Sequence, residues 1–199
     1  MTADTIALLK ISLNDVKPVV LRRIEVPFSI RLDRLHLVLQ AAIGWTNSHL
    51  YEIRIDDTGW GVPDPSWRDG PLDASKARLD KVIEDVDKKT FSYLYDFGDG
   101  WSHTIKIERL TDAIPRLVYP SLIEASGRCP PEDIGGPAGY ADFLEAIADP
   151  QHEGHADALE WAEPDFDPHP ADIAAHQSAI GVLAQRWAPK PRAKRTKPI

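Results

Sequence analysis

The sequence predicts an α+β fold: a mostly antiparallel β-sheet with one helix packed on it and a helical C-terminal third. Three observations predict it. Residues Thr90–Leu110 form two runs of period-two alternation around Asp99-Gly100, the pattern of a β-hairpin. Leu32, Leu35, His36, Leu39 and Ile43 recur at i, i+3, i+4, i+7 and i+11, one face of an α-helix. After Cys129 the chain turns acidic and rich in Pro and Gly, then takes up helical spacing.

The elements follow in order. Thr5–Leu13, rich in Ile and Leu, reads as a strand, and Asn14-Asp15 as a turn. Val19–Val26 reads as its antiparallel partner, bracketed by Pro18 and Pro27. Its charged residues Arg22 and Arg23 are expected to guard a sheet edge or to meet a partner. The helix over residues 32–43 ends at Gly44, where a left-handed residue belongs. Leu50–Ile55 is a third strand. Asp56–Pro71 carries three Gly and three Pro and reads as a loop. Ala77–Ile83 reads as a short strand.

In the hairpin, Phe91, Tyr93 and Tyr95 alternate with Ser92, Leu94 and Asp96, and His103, Ile105 and Ile107 alternate with Thr104, Lys106 and Glu108. A two-residue loop at Asp99-Gly100 sets Asp96 across from His103, with their Cβ atoms ~5 Å apart. An edge strand is expected near Tyr119–Glu124. Pro137 opens a helix with Tyr140, Phe143, Leu144 and Ile147 on one face. Gln151–Trp161 reads as a helix with His152 and His155 on the same side. Pro170–Trp187 reads as a last helix with Ile173, His176, Ile180, Leu183 and Trp187 along one stripe. The whole is expected to be one domain over residues 1–188, with 189–199 a disordered basic tail.

The chain has 199 residues, 43% hydrophobic, long enough for a substantial core. No stretch approaches the ~20 apolar residues of a membrane helix, and the N-terminus lacks a leader pattern, so a cytoplasmic protein without membrane contact is expected. One cysteine excludes an internal disulfide framework. The net charge of −8 is uneven. Residues 129–185 hold 12 Asp and Glu and no Lys or Arg, and residues 186–199 hold six Lys and Arg and no acid. The acidic body repels nucleic acid. Nucleic acid contact is left to Lys190, Arg192, Lys194, Arg195 and Lys197.

Several segments together resemble the plasmid pRiA4b ORF-3-like family. They are KPVVLRRIEVP, LDRLHLVLQAAIGWTNSHLYEIRI, YLYDFGDGWSHTIKIE, CPPEDIGGPAGY and DPQHEGHADALEW. The resemblance runs from about Thr5 to Trp161. It implies an α+β fold of unassigned biochemical function, carried on plasmids and chromosomes and as passengers of insertion elements. The related pattern often carries two acids between the histidines of the helix motif, whereas this chain has Glu153-Gly154 between His152 and His155.

No nucleophile elbow or phosphate loop is present; Gly98-Asp-Gly100 and Gly135-Gly136 sit beside acids and read as turns. The aromatics Trp45, Trp60, Trp67 and Trp101 offer either a stacking surface or core packing. The leading expectation is therefore a non-catalytic binding or accessory domain for a protein or nucleic-acid partner. Its candidate residues are His49, Asp96, Trp101, His103, Cys129, Glu132 and Asp133. The alternative is a metal-dependent hydrolase, with His152, Glu153 and His155 holding a divalent ion such as zinc.

Overall fold

The computed structural model describes residues 5–66, 69–162 and 166–188. The basic tail, including Lys190, Arg192, Lys194, Arg195 and Lys197, lies outside the described residues, as does Trp67.

Eight strands form one sheet: β1 (Thr5–Leu13), β2 (Leu21–Pro27), β3 (Tyr51–Ile55), β4 (Thr58–Gly61), β5 (Leu72–Asp73), β6 (Thr90–Tyr95), β7 (Trp101–Asp112) and β8 (Ser121–Ser126). Their spatial order is β5-β4-β3-β6-β7-β1-β2-β8, and among the described residues only the β4–β5 pair is parallel. Among the described residues five α-helices accompany it: α1 (Leu32–Ile43), α2 (Leu79–Val86), α3 (Gly136–Ala148), α4 (His155–Trp161) and α5 (Ile173–Trp187). The fold is α+β with a large, mostly antiparallel sheet.

The core sits between the sheet and α1. Leu9, Ile11, Ile24, Ile53, Tyr93, Tyr95, Trp101 and Ile105 are fully buried from the sheet side, and Leu32, Leu35, Leu39 and Ile43 from the helix. Each such aliphatic side chain contributes about 2 kcal/mol by leaving water. Val38, Gln40 and Ala42 of α1 are buried as well: Gln40 reaches the Tyr93 hydroxyl of the sheet, and α5 also packs against α1. Gly44 ends α1 at φ +114°, the left-handed position expected.

Four expectations change. Ala77–Ile83 is not a strand: residues 79–86 are the helix α2, which buries Leu79, Val82 and Ile83 on one face. Only Arg78, just before it, makes an isolated bridge to Arg31. The loop expected over 56–71 contains β4, which folds back on β3 through Asp56, itself in the left-handed region at φ +54°. The helix expected from Gln151 begins at His155, so His152 belongs to the preceding turn. β8, the edge strand expected near Tyr119–Glu124, covers β2, so the two arginines of β2 guard no sheet edge: Arg22 is fully buried while Arg23 pairs with Glu108 and Glu124 on the outer face.

Candidate functional site

The site is built around the turn of the β6–β7 hairpin, whose register differs from expectation. Tyr95 pairs with Trp101 and Tyr93 with His103, so the loop spans Asp96–Gly100. This register places Phe91, Tyr93, Tyr95, Trp101, His103 and Ile105 on one buried face. The two-residue loop would have set Leu94 opposite Ile105 and left the tyrosines facing polar residues. Asp96 therefore leaves the ladder and does not face His103. It adopts φ +56°, and its Oδ1 accepts a hydrogen bond from the Gly98 amide at 2.9 Å.

Two other connections close on this loop. The segment after α1 presents Trp45, Thr46, Ser48 and His49. The Pro-Gly connection between β8 and α3 presents Cys129, Glu132 and Asp133. Trp45 Nε1 donates to the Pro130 carbonyl at 3.0 Å, and its ring stacks on Tyr95 at 5.0 Å. Glu132 pins the three together. It accepts from the Tyr95 hydroxyl at 2.6 Å, from the Thr46 amide at 3.0 Å and from the Thr46 hydroxyl. Burial first, then the Glu132 carboxylate, pushes the Tyr95 phenol up to about 12. Asp99 accepts from the Gly135 amide at 3.2 Å, joining the hairpin loop to the start of α3.

His49, Asp96 and Asp133 converge. His49 Nε2 lies 3.2 Å from Asp133 Oδ1 and 3.7 Å from Asp96 Oδ2. The nitrogen is closed to solvent, yet neither approach has hydrogen-bond geometry. The ring packs edge-on against Tyr95 at 5.8 Å.

The other expected residues take structural positions. His103 is sealed: Nδ1 donates to the Tyr93 carbonyl at 3.1 Å, Nε2 has no partner, and burial holds the ring down to about 4. Trp101 is equally buried and tilts against Trp45 at 5.6 Å. Cys129 donates to the Pro130 carbonyl at 3.3 Å, and burial pushes its thiol far above the usual range, away from nucleophile chemistry. His155 Nδ1 donates to the Ala146 carbonyl at 2.7 Å, and His152 Nδ1 accepts from the Gly154 amide at 3.1 Å. These bonds tie the α3–α4 turn. Among the described residues, His152, Glu153 and His155 join no group of metal-ligand atoms, so the metal-hydrolase reading built on them is not favoured.

Two arrangements were missed. Gln40, Tyr93, His36 and Asn47 form one buried network: Gln40 Nε2 donates to the Tyr93 hydroxyl at 2.8 Å, which donates to His36 Nδ1 at 2.9 Å, while His36 Nε2 donates to Asn47 Oδ1 at 2.5 Å. Arg22 lies beneath α1 and α5, and a signal for it exists. It shares strand parity with Val20, Ile24 and Val26, so alternation alone points it inward. Beside these groups opens a cavity of about 920 Å³ lined by Trp45, Cys129, Glu132, Trp161, Phe166 and His176, with Arg128 stacked over Phe166 at 4.8 Å.

Comparison with known families matches residues 5–175 to the plasmid pRiA4b ORF-3-like proteins. The chain belongs to that family. This pRiA4b ORF-3-like chain is 54% identical over 187 residues to the uncharacterized protein y4hQ of Sinorhizobium fredii, covering 94% of this chain and 96% of the relative. Its fold matches the crystal structure of MM3350, a protein of unknown function from Methanosarcina mazei Go1. The TM-score is 0.79 at 30% identity, covering 87% of this chain and 98% of that one.

Proposed function

We propose that this family member is a non-catalytic recognition domain, an accessory protein of mobile elements acting in the cytoplasm, that captures a basic segment of a protein partner. The observation that carries the reading is the open cavity, with aromatic walls from Trp45, Trp161 and Phe166 and acids Glu132 and Asp172 among its lining. Trp161, 55% exposed at this cavity, offers a large aromatic surface for a partner to cover.

The surroundings favour a cationic guest. Asp142, Glu145, Asp149, Glu153, Asp157 and Glu160 are exposed on α3, α4 and the turn between them, and none forms an ion pair among the described residues. A field of one sign steers a basic partner and repels nucleic acid. Catalysis finds no support in the same groups, since the Cys129 thiol is suppressed and the His103 ring is enclosed. Among the described residues no helix is long and apolar enough to cross a membrane. The plasmid in the family's name supports the link to mobile elements.

The test is a pull-down from native cells with the full chain, with and without nuclease, compared with Trp161→Ala and with Glu145→Lys plus Asp157→Lys. The reading expects a nuclease-resistant protein partner, released by salt and lost in both variants. Capture that disappears with nuclease, or that both variants retain, would overturn it.

A further inference from the structure

The convergence of His49, Asp96 and Asp133 is not needed to hold the loops together, because Glu132, Trp45 and Asp99 already do so. One ligand-type atom from each of the three lies within 4.8 Å of the others. A divalent ion bound at ~2.0–2.2 Å in tetrahedral geometry would space its ligand atoms about 3.3–3.6 Å apart. The observed 3.2 and 3.7 Å bracket that spacing.

The electrostatics point the same way. Two carboxylates face one imidazole nitrogen, and among the described residues neither carboxylate is paired with Lys or Arg. The His49 nitrogen is shut off from water without a hydrogen bond. A single proton there would have to choose one carboxylate, whereas an ion placed between the three satisfies all of them at once. Asp96 is already oriented for this: Oδ1 is held by the Gly98 amide, which turns Oδ2 toward the histidine.

We propose that His49 Nε2, Asp96 and Asp133 form a binding site for a borderline divalent cation of the zinc class. One imidazole and two carboxylates suit such an ion, while Mg²⁺ and Ca²⁺ prefer oxygen alone. Asp133 is 67% exposed, so the outer side of the site is open to water or to an anionic group of a ligand. The site joins three connections that are distant in sequence: the segment before β3, the hairpin loop and the Pro-Gly segment. It stands independently of the partner reading above.

The test is calorimetric titration of chelator-stripped full chain with zinc chloride alone, alongside circular dichroism. The proposal expects one equivalent bound by the wild type. It expects binding about tenfold weaker or worse in His49→Ala and in Asp133→Asn, and unchanged in His152→Ala plus His155→Ala. Asp133 is exposed, so Asp133→Asn decides the matter if His49→Ala does not fold. Absence of binding by folded wild type would reduce the cluster to a histidine–carboxylate contact and end the proposal. So would binding that Asp133→Asn retains, or that the His152/His155 variant abolishes.

Discussion

The guanidinium of Arg22, on β2, lies 3.3 Å from Nε2 of His176, on α5, and both side chains are buried. The same guanidinium closes the end of α1. Its Nε donates to the Ala42 carbonyl at 2.6 Å and its Nη2 to the Ile43 carbonyl at 3.4 Å, while Nη1 donates to the Leu21 and Ser126 carbonyls at 2.8 and 2.7 Å. The last carbonyls of a helix have no partner within it and carry partial negative charge. A strand residue therefore caps the helix that packs on its own sheet. Burial draws Arg22 down to about 10, which still leaves it charged at neutral pH.

Arg22→Met is expected to destabilise the fold by about 3 kcal/mol, because it strands several buried carbonyls at once. Arg22→Lys is expected to lose less, about 2 kcal/mol, since an ammonium can satisfy some of these carbonyls but not with the same fork. Urea midpoints with an unchanged slope would measure both. A Met variant as stable as wild type would show that charge and hydrogen bonding at this position do not matter.

Acid should weaken the fold through two imidazoles. Burial holds His36 and His103 down to about 4 in the folded chain, whereas in the unfolded chain both titrate near 6.5. Between those values the unfolded state takes up the proton and the folded state does not. Stability is therefore flat above about pH 6.5 and falls as the pH drops toward 4, by up to about 3 kcal/mol for each ring. Urea unfolding at several pH values checks the slope. His103→Gln is expected to flatten it by roughly half, and a profile identical to wild type would remove His103 from the account.

The entry to α3 distinguishes two adjacent glycines. Both have positive φ, +89° at Gly135 and +70° at Gly136. A Cβ on Gly135 meets nothing nearer than 3.6 Å, while one on Gly136 collides with the Asp99 carbonyl oxygen. Gly135→Ala is expected to cost about 1 kcal/mol of backbone strain alone. Gly136→Ala is expected to cost at least about 2 kcal/mol more, because it pushes the Pro-Gly connection off the hairpin loop. Thermal melts of the two variants should separate clearly.

Cys129 should resist alkylation in the native state. Its thiol is pushed up by burial and bonded to the Pro130 carbonyl, and only the thiolate reacts. Iodoacetamide labelling at pH 8 is expected to run about a hundredfold slower than for the urea-unfolded chain. Comparable rates would place the sulfur at the surface.

Where periodicity is strong, the sequence reading and the structure agree: the α1 stripe, the Gly44 cap and the strands of both hairpins. It failed where a local signal competed with a tertiary one. Asp99-Gly100 is a good two-residue turn, but burying Tyr93, Tyr95 and Trp101 on one face requires the longer loop, and packing outweighs turn preference. Within Ala77–Ile83 only Ala77 and Arg78 are extended, and the buried trio Leu79, Val82 and Ile83 that follows has helical spacing. For the site, His49, Asp96, Glu132 and Asp133 were each legible as reactive types. Their meeting was not, since they arrive on three connections whose approach depends on sheet order. Asp96 was assigned to His103 by a register that does not form.

Strand β1 occupies the middle of the sheet, between β2 and β7. It is synthesised before the other strands of the sheet, and its hairpin with β2 can form at once. Its other edge, however, stays bare until β7 has been synthesised, with apolar side chains waiting for company. Such non-local pairing slows folding and exposes the nascent chain to wrong partners. Chaperone dependence during translation, more than the stability of the finished molecule, is then expected to limit how much of this protein a cell accumulates.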